Sequence, residues 1–452
     1  GIGRRAAGLA GKKSVFEAKR RQTLLLHAET PAGPRALLLV GMGKRKEITS
    51  EDYRRAGGLA VRRATGLGAR SMVVVAGGKL TWEAESLSAF GEGCVLATHH
   101  HPRKKDDDKP PATVSVVTDL RGGAGLLRAA QTVAEGANLA RELGDQPGNV
   151  CTPKHLADTA RKISRATGLR CRVHDKKALQ RMKMGGILAV NQGSNKPPFL
   201  IEMDYRPAKA RHTLCIVGKG LTFDAGGISI KPAAGMEEMK YDMCGAAAVI
   251  GLMQAIGRLK PKGVRVVGIV GTTENLLGGA ADEPGDVVRT ASGKTIEVIN
   301  TDAEGRVVLA DALHYATRFD PDAIIDMATL TGAIVVALGH EAAGLFTADD
   351  KLAGKIEAAA ERTDEKVWRM PTYEAYDEMI KGRFGDIKNS AGRWAGSCTA
   401  AQFLFHFTDG VPHAHIDVAG AAWGGRKRDY HVDGATGFGV RLLYNAITHW
   451  KS

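Results

Sequence analysis

The chain has 452 residues, which is more than one ordinary hydrophobic core accommodates and therefore predicts two domains. Its hydrophobic share of 44% and charged share of 25% are typical of a soluble globular protein, and no apolar run approaches the length of a membrane-spanning helix. The six cysteines are scattered and contain no Cys-x-x-Cys pair, which argues against a disulfide scaffold and a structural zinc site. A reducing compartment is expected.

The net charge of +14 is concentrated near the start of the chain. Residues 1–80 hold 17 Lys and Arg residues against 5 Asp and Glu residues, whereas the remainder holds 46 against 44. A basic surface attracts nucleic acid or an acidic partner, but it also simply keeps a protein in solution. DNA binding is therefore an alternative function, although no recognised nucleic-acid motif accompanies the charge.

The first residues, GIGRRAAGLAGKK, contain neither an initiator Met nor the apolar segment of a secretory signal. Their basic, acid-poor composition indicates either the remnant of an organelle-targeting segment or a solvated segment, which we favour. We expect a cytoplasmic protein, with the mitochondrial matrix or a plastid as the alternative.

The first elements alternate between strand and helix. The stretches 35–45 (RALLLVGMGKR) and 71–78 (SMVVVAGG) are predicted as buried strands, and 51–68 between them has helical spacing. This order predicts a small α/β domain with parallel strands. The triple histidine at 99–101 adjoins a charged loop, and because consecutive side chains point in different directions, we expect an exposed loop there and not a metal site.

A helix is predicted over 122–145, and we place the domain junction along it. The expected organisation is a first domain over 1–120, a linker helix over 121–149 and a second domain over 150–452. In the second domain, predicted strands such as 188–194 (LAVNQGS) and 212–220 (HTLCIVGKG) alternate with helices, which indicates a large α/β sheet. In such sheets the chemistry collects at the carboxyl ends of the strands.

Three glycine-rich segments combine acidic and basic side chains. They are VGKGLTFDAGGISIKP (217–232) with Lys219, Asp224 and Lys231, MEEMKYDMCGAAAVIG (236–251) with Asp242, and NTDAEGRVVLADAL (300–313) with Asp302, Glu304 and Arg306.

The alternation of Asp302, Glu304 and Arg306 places their side chains on one face if the backbone is extended. Pairing of Arg306 with one acid is the purely structural alternative. Four acids gathered without a cation are costly, and two divalent metal ions about 3.5–4 Å apart would resolve the repulsion. Oxygen ligands without His suit Zn, Mn, Mg or Co. From these residues alone, a dinuclear metal hydrolase without a nameable substrate is predicted.

These segments resemble the motifs of the leucyl aminopeptidase family, the dinuclear cytosol aminopeptidases. NTDAEGR is similar to the signature of that family, and further similar blocks are TLTGA (329–333), DIKNSAGRWAGSCTAAQFL (386–404) and HIDVAGAAW (415–423). The resemblance covers nearly all of 120–445, and the N-terminal part fits more loosely and lacks the first strand of the family. It implies an α/β protein with a small macro-like N-terminal α/β domain and a larger α/β catalytic domain. The catalytic domain would have a central mixed sheet of the zinc-exopeptidase type.

The implied activity is a metal-dependent aminopeptidase that releases leucine and other apolar N-terminal residues from short peptides. The resemblance implies five ligands for two divalent ions, Zn or Mn or alternatively Mg or Co: Lys219, Asp224, Asp242, Asp302 and Glu304. Lys231 would polarise the scissile carbonyl, and Arg306 would hold a bicarbonate ion as general base for the metal-bridging water. The implied substrate-binding residues are Met239, Asp242, Thr329, Leu330 and Gly332. A homohexamer built as a dimer of trimers, with no membrane association, is also implied.

Two positions depart from the family pattern. Cys244 stands where many members carry glycine, and Val307 stands where leucine is usual. Cys244 follows the implied ligand Asp242 by two residues, so either the tight packing there changes or oxidation of the thiol inactivates the site; the alternative is a small buried residue. Two other functions remain open: a DNA-binding or architectural protein acting through the basic N-terminal domain, and a structural pseudoenzyme in a larger assembly.

Overall fold

The computed structural model describes residues 15–30, 33–77, 80–100, 109–425, 428–431 and 433–450. It separates into two compact units, one over 1–135 with 427–432 and the other over 136–426 with 433–452. The basic start GIGRRAAGLAGKK, His101 and the charged loop that follows it lie outside the described residues. The expected boundaries at 120 and 149 stay predictions, and the predicted helix between them is observed at Gly123–Asp145.

The first unit is a small α/β unit. Its described strands are β1 (Thr23–Thr30), β2 (Gly33–Val40), β3 (Ser71–Val75) and β4 (Thr113–Val117). Its helices are α1 (Ser50–Gly66), α2 (Ala84–Leu96) and the first part of α3 (Gly123–Asp145). The α1 helix predicted at 51–68 is confirmed, and it begins at a capping box in which Thr49 and Asp52 bond each other's backbone N–H groups. Trp82, Leu87 and Phe90 lie at the centre of its core.

Two expectations concern the strands at 35–45 and 71–78, which were predicted to be buried and to belong to one parallel sheet. The structure contradicts both for these two strands. Strand β2 pairs antiparallel with β1, and β3 pairs parallel with β4, so in the described residues β2 and β3 belong to separate two-stranded sheets. Nor are the strands fully buried, because Val73 and Val75 are 68% and 67% exposed while Met72 and Val74 pack on the core. A run of apolar residues predicts burial on both faces, but alternate side chains point to opposite faces and the core covers one of them.

The second unit is built on a mixed eight-stranded sheet, which confirms the predicted architecture. In sheet order the strands are β13 (Val367–Arg369), β12 (Ala343–Phe346), β15 (His413–Asp417), β11 (Ala323–Ala328), β7 (His212–Asp224), β8 (Val264–Asn275), β6 (Phe199–Tyr205) and β5 (Arg170–His174). The central strands β15, β11, β7 and β8 are parallel to one another, so their carboxyl ends meet at one edge. A separate sheet contains β14 (Ile387–Lys388), β10 (Thr295–Glu297) and β9 (Val287–Arg289).

Helices cover this sheet. They are α4 (Pro153–Thr167), α5 (Lys176–Arg181), α6 (Gly185–Val190), α7 (Cys244–Leu259), α8 (Glu304–Thr317), α9 (Gly332–Leu338), α10 (Asp350–Thr363), α11 (Ala375–Met379), α12 (Gly396–Phe405) and α13 (Val440–Thr448). The strand predicted at 188–194 is wrong, because this segment belongs to α6 and a short 3₁₀ turn. A short apolar run does not distinguish a buried strand from a buried helix, and here the backbone N–H of Ile187 donates to Asp311 on α8 at 3.0 Å.

One segment, Met236–Leu259, is long and apolar enough to cross a membrane by length and composition, contrary to the sequence expectation. In the structure it forms a 3₁₀ helix at Met236–Tyr241 followed by α7, and 83% of its most apolar window is buried inside the protein. Helix α7 packs against β7 and β8, which is the environment of a core helix.

Helix α7 also meets α3 at a pair of glycines. A Cβ atom on Gly251 would lie 2.3 Å from the carbonyl oxygen of Gly136, and a Cβ atom on Gly136 would lie 2.5 Å from the carbonyl oxygen of Gly251. Both distances are far below a normal carbon–oxygen contact, so any side chain here forces the two helices apart. The close contact fixes the position of α7, the helix that follows Asp242.

We expect Gly251→Ala to lower the free energy of unfolding by about 1–3 kcal/mol, because overpacking shifts backbone as well as side chains. Gly354→Ala is the matched control, since Gly354 is also inside a helix but a Cβ there would contact nothing within 4 Å. Relief of glycine's backbone entropy should stabilise that variant by about 0.5–1 kcal/mol. Thermal and denaturant unfolding of both variants measures the difference, and equal stability would contradict the proposed clash.

Candidate active site

The residues predicted to form a site collect at the carboxyl edge of the parallel strands. Asp224 is the last residue of β7, and Lys219 lies on the same strand with its side chain 3% exposed. Asp242 follows the 3₁₀ helix Met236–Tyr241 and lies two residues before Cys244, the first residue of α7. Glu304 is the first residue of α8. Three segments that are distant in sequence are therefore brought together by the sheet.

The prediction of one common face for Asp302, Glu304 and Arg306 assumed an extended backbone. That assumption is wrong, because the NTDAEGR segment is not extended. Thr301 and Asp302 form a turn, Ala303 is the N-cap of α8, and Glu304 begins the helix. The turn followed directly by the helix start brings oxygen atoms of Asp302 and Glu304 within 4.8 Å of each other. The position of Glu304 in the first turn of α8 stabilises its charged form, because the helix macrodipole favours negative charge there.

Arg306 does not form the ion pair that the structural alternative required. Among the described residues its hydrogen bond goes from Nη1 to the carbonyl oxygen of Asn389, at 2.7 Å, while its Nε is buried without a partner. Burial lowers the pKa of Arg306 to about 10, against the opposing influence of Glu304 and Asp417. A buried guanidinium with an unused donor is suited to hold an anion.

Two lysines lie among the four carboxylates in this structure and offset half of their formal negative charge. The ammonium of Lys219 lies 2.8 Å from Asp242 and 3.0 Å from Glu304, and it donates to the carbonyl oxygen of Thr329 at 2.9 Å. The ammonium of Lys231 lies 2.7 Å from Asp224 and 2.5 Å from Asp302. Each lysine therefore bridges two acids, one from each of two segments.

The carboxyl groups are strongly perturbed. Burial, then the neighbouring Asp224, raises the pKa of Glu304 to about 8 against the influence of Lys219. Burial likewise raises the pKa of Asp242 to about 6, although Lys219 opposes it. Burial would lower the pKa of Lys219 and Lys231, but the surrounding carboxylates outweigh it and raise both. Perturbed groups of both signs in one cluster are typical of a functional site.

The arrangement fits divalent metal ions. Asp224, Asp302 and Glu304 each offer an oxygen atom, and these three atoms lie within 4.8 Å of one another. Asp242 Oδ2, Asp302 Oδ1 and Glu304 Oε2 are buried and accept no hydrogen bond from the described residues, although an ammonium lies beside the first two. Of these three atoms, Glu304 Oε2 fits a hard cation best, because the ammonium of Lys219 pairs with the other oxygen of Glu304.

A polar network that the sequence analysis did not single out holds the segments together. Asn275, at the end of β8 and 1% exposed, donates to Asp224 Oδ1 at 2.8 Å and to the carbonyl oxygen of Thr301 at 3.0 Å. Thr301 donates to the carbonyl oxygen of Gly226 and accepts from the N–H of Ser229. The only signal for Asn275 in the sequence is its place where a strand ends.

The predicted substrate-binding residues lie around the same edge. Thr329 donates its hydroxyl to Asp242 at 2.8 Å, and the N–H of Leu330 donates to Asp417 at 3.1 Å. A contact from the Leu330 main chain to a peptide would therefore come from its carbonyl oxygen. Gly332 is exposed and has no atom within 4 Å of a Cβ, and Met239 is partly exposed. Open space therefore adjoins the cluster at Gly332.

The remaining features have local explanations. Cys244 is 9% exposed, and burial raises the pKa of its thiol, as expected of a small buried residue. All six cysteines are free.

His100 is exposed, in agreement with an exposed loop, and the only metal-like cluster in the described part of the chain is the one at Glu304. Within the first unit, Arg54 pairs with Glu51 and Glu92, so some of its basic charge is neutralised internally.

Known proteins share both units. Residues 138–444 match the catalytic domain of the cytosol aminopeptidase family, and residues 9–108 match its N-terminal domain. A probable cytosol aminopeptidase of Brucella melitensis is 44% identical over 424 residues, which cover 92% of this chain and 87% of that protein. One of Roseiflexus castenholzii is 43% identical, with coverage of 96% and 91%.

Solved structures agree with these sequence relatives. The bottromycin maturation enzyme BotP in complex with Mn is 35% identical and superposes with a TM-score of 0.89, covering 99% of this chain and 96% of that chain. The carboxylate–lysine cluster at the sheet edge and the match of both units lead to one assignment: the chain belongs to the cytosol aminopeptidase family and is a metal-dependent aminopeptidase.

Proposed function

We propose that this aminopeptidase works with two divalent metal ions, Zn or Mn, or alternatively Mg or Co. The observation that supports this most directly is the convergence of Asp224, Asp302 and Glu304 oxygens within 4.8 Å, with a buried Glu304 oxygen that has no donor among the described residues. The ligands would be these three acids together with Lys219 and Asp242. Lys219 must lose its proton to act as a ligand, which a nearby cation favours.

The metal ions would supply a nucleophile from water at neutral pH and polarise the peptide carbonyl. Lys231, whose side chain is 20% exposed, would donate from its ammonium to the carbonyl oxygen and stabilise negative charge as it develops there. Arg306 would hold a bicarbonate ion as the proton acceptor. The buried Nε of Arg306, which has no partner in the described residues, supports an anion at this place.

The substrate would be a short peptide with an apolar N-terminal residue, leucine among those preferred. Asp242 would bind the free α-amine, because its carboxylate is buried at the edge of the cluster and already accepts from Thr329. Met239, Thr329 and Gly332 would border the space for the first side chain, and the Leu330 carbonyl would hold the peptide main chain. Recognition of a free amine restricts cleavage to the first residue.

We further propose a homohexamer, built as a dimer of trimers, in the cytoplasm, which is the location that the names of the relatives suggest. The mitochondrial matrix and plastid remain alternatives for location. DNA binding through the basic residues of the first unit stays an untested alternative. A structural pseudoenzyme is disfavoured, because a site without catalysis gains nothing from grouping buried acids whose charges repel.

Chelation should abolish hydrolysis of leucine p-nitroanilide, and added Mn²⁺ or Zn²⁺ should restore it. Glu304→Ala should lower kcat/KM by more than about 100-fold, because it removes a proposed ligand at the centre of the cluster. Glu357→Ala, which changes an exposed acid on α10, is the control and should match the wild type. Full metal-dependent activity in the Glu304 variant would falsify the proposed centre.

Lys231→Ala should reduce kcat about 10²–10³-fold with a smaller effect on KM, since its ammonium would act mainly on charge that develops during the reaction. Steady-state kinetics on a leucyl peptide series, together with the metal content of the variant, measures this effect. Lys351→Ala changes an exposed lysine on α10 and serves as control. A kcat within tenfold of the wild type at equal metal content would contradict the role of Lys231.

Arg306→Ala should be slower than the wild type and should no longer respond to bicarbonate. In buffer depleted of carbon dioxide, added bicarbonate should raise kcat of the wild type and of Arg170→Ala, a control at an exposed position on β5. The expected difference follows from the loss of the buried guanidinium that Asn389 holds near Glu304. If bicarbonate raises kcat equally in Arg306→Ala and Arg170→Ala, the proposed binding of bicarbonate at Arg306 is wrong.

A further inference from the structure

Asn389 lies directly beside the turn that carries the acidic signature. Strand β14 (Ile387–Lys388) pairs in parallel with β10 (Thr295–Glu297), and Asn389 is the next residue after β14. Its N–H continues the ladder by donating to the carbonyl oxygen of Glu297 at 3.0 Å. This pairing places Asn389, which is 1% exposed, against the chain that leads from β10 into the turn.

The pairing of β10 with β14 ends at Glu297 and Lys388. Beyond it, the side-chain amide of Asn389 hydrogen-bonds the backbone of Ile299 and Asn300, as a neighbouring strand would. Its Oδ1 accepts from the N–H of Ile299 at 2.7 Å and from the N–H of Asn300 at 3.3 Å. Its Nδ2 donates to the carbonyl oxygen of Asn300 at 2.7 Å and more weakly to that of Ala303 at 3.4 Å. One side chain thus binds the backbone on both sides of Asp302.

The main chain of the same residue fixes the arginine. The carbonyl oxygen of Asn389 accepts from Nη1 of Arg306 at 2.7 Å. Every polar atom of Asn389 is therefore used, and its partners begin before Asp302 and end after Glu304. Its hydrogen bonds go to neither acid, so its effect on them is transmitted through the position of the backbone.

Asparagine meets these requirements because it combines a carbonyl acceptor and an amide donor on a short side chain. Aspartate keeps the acceptor oxygens and loses the donors to Asn300 and Ala303. Alanine loses both and leaves buried backbone groups unpaired, which costs about 1–3 kcal/mol for each group. The turn would then move away from the position that brings its acids to Lys219 and Lys231.

We propose that Asn389 is a positioning residue for the metal centre: it sets the place of the Ile299–Ala303 turn, and with it the place of Asp302, Glu304 and Arg306. The inference rests on the proposed dinuclear centre. Groups that orient metal ligands without touching the metal typically change affinity or activity by 10–100-fold when replaced. The dissociation constant for metal is thus the quantity that Asn389 should control.

The test is calorimetric titration of chelated protein with Mn²⁺ for the wild type, Asn389→Ala and Asn389→Asp. We expect the dissociation constant to rise about 10–100-fold in Asn389→Ala. Asn389→Asp keeps the shape and the acceptors, so it covers the case in which the alanine variant fails to fold, and its affinity should also fall. Activity with leucine p-nitroanilide should return at high Mn²⁺ in both variants, unlike in Glu304→Ala.

Asn191→Ala is the matched control. Asn191 is equally buried, and its amide donates to Lys196 and Thr273, outside the three ligand-bearing segments. Melting temperatures of both alanine variants separate general destabilisation from a local effect. If Mn²⁺ affinity in folded Asn389 variants stays within about threefold of that in Asn191→Ala, the positioning role is wrong. If the wild type itself binds no Mn²⁺ and works without metal, the proposed centre has failed instead.

Discussion

Compensation of buried negative charge is the constraint on which the catalytic unit depends. Asp224, Asp242 and Glu304 are between 2% and 6% exposed, and Asp302 lies beside them. Carboxylates at this depth and spacing are tolerated only with cations among them, and two lysines provide these in the structure described. Oxygen atoms of the same acids would bind the proposed metal ions, which would add positive charge beside the ammonium of Lys231.

The sheet meets this constraint by geometry. Parallel strands end at one edge, so a strand end, a helix start and a turn can each present one or two acids to a common point. The fit is tight enough that a Cβ atom on Gly305 would lie 2.6 Å from the ammonium of Lys219. A side chain at this second residue of α8 would displace the end of the Lys219 side chain from its place between Asp242 and Glu304. The glycine pair between α3 and α7 fixes the helix behind Asp242 in a similar way.

The side-chain amides of two asparagines bind the backbone segments that carry the charged residues of the site. Asn275 joins the end of β7 to the Thr301 turn, and Asn389 joins the same turn to β14. Both residues are buried and donate from their side-chain amides to the turn, and neither carries charge that would add to the repulsion. Hydrogen bonds to backbone fix positions without changing the net charge of the cluster, which explains why amides are found at these two places.

The sequence by itself determined the composition of the site, because residue types carry the chemistry of the acids and lysines in the three motifs. Its alternating strands and helices also predicted two domains and a large α/β sheet, whereas the mixed order of that sheet was implied by the family resemblance. The sequence did not determine pairing in the first unit, where β2 joined β1, nor the helix at 188–194, since short apolar runs suit either state. The turn at Asp302, the carbonyl partner of Arg306 and the amides Asn275 and Asn389 were decided only by the tertiary structure. These features are contacts between residues about 26 to 90 positions apart, and hydrogen bonding between distant segments leaves no local periodicity in a single sequence.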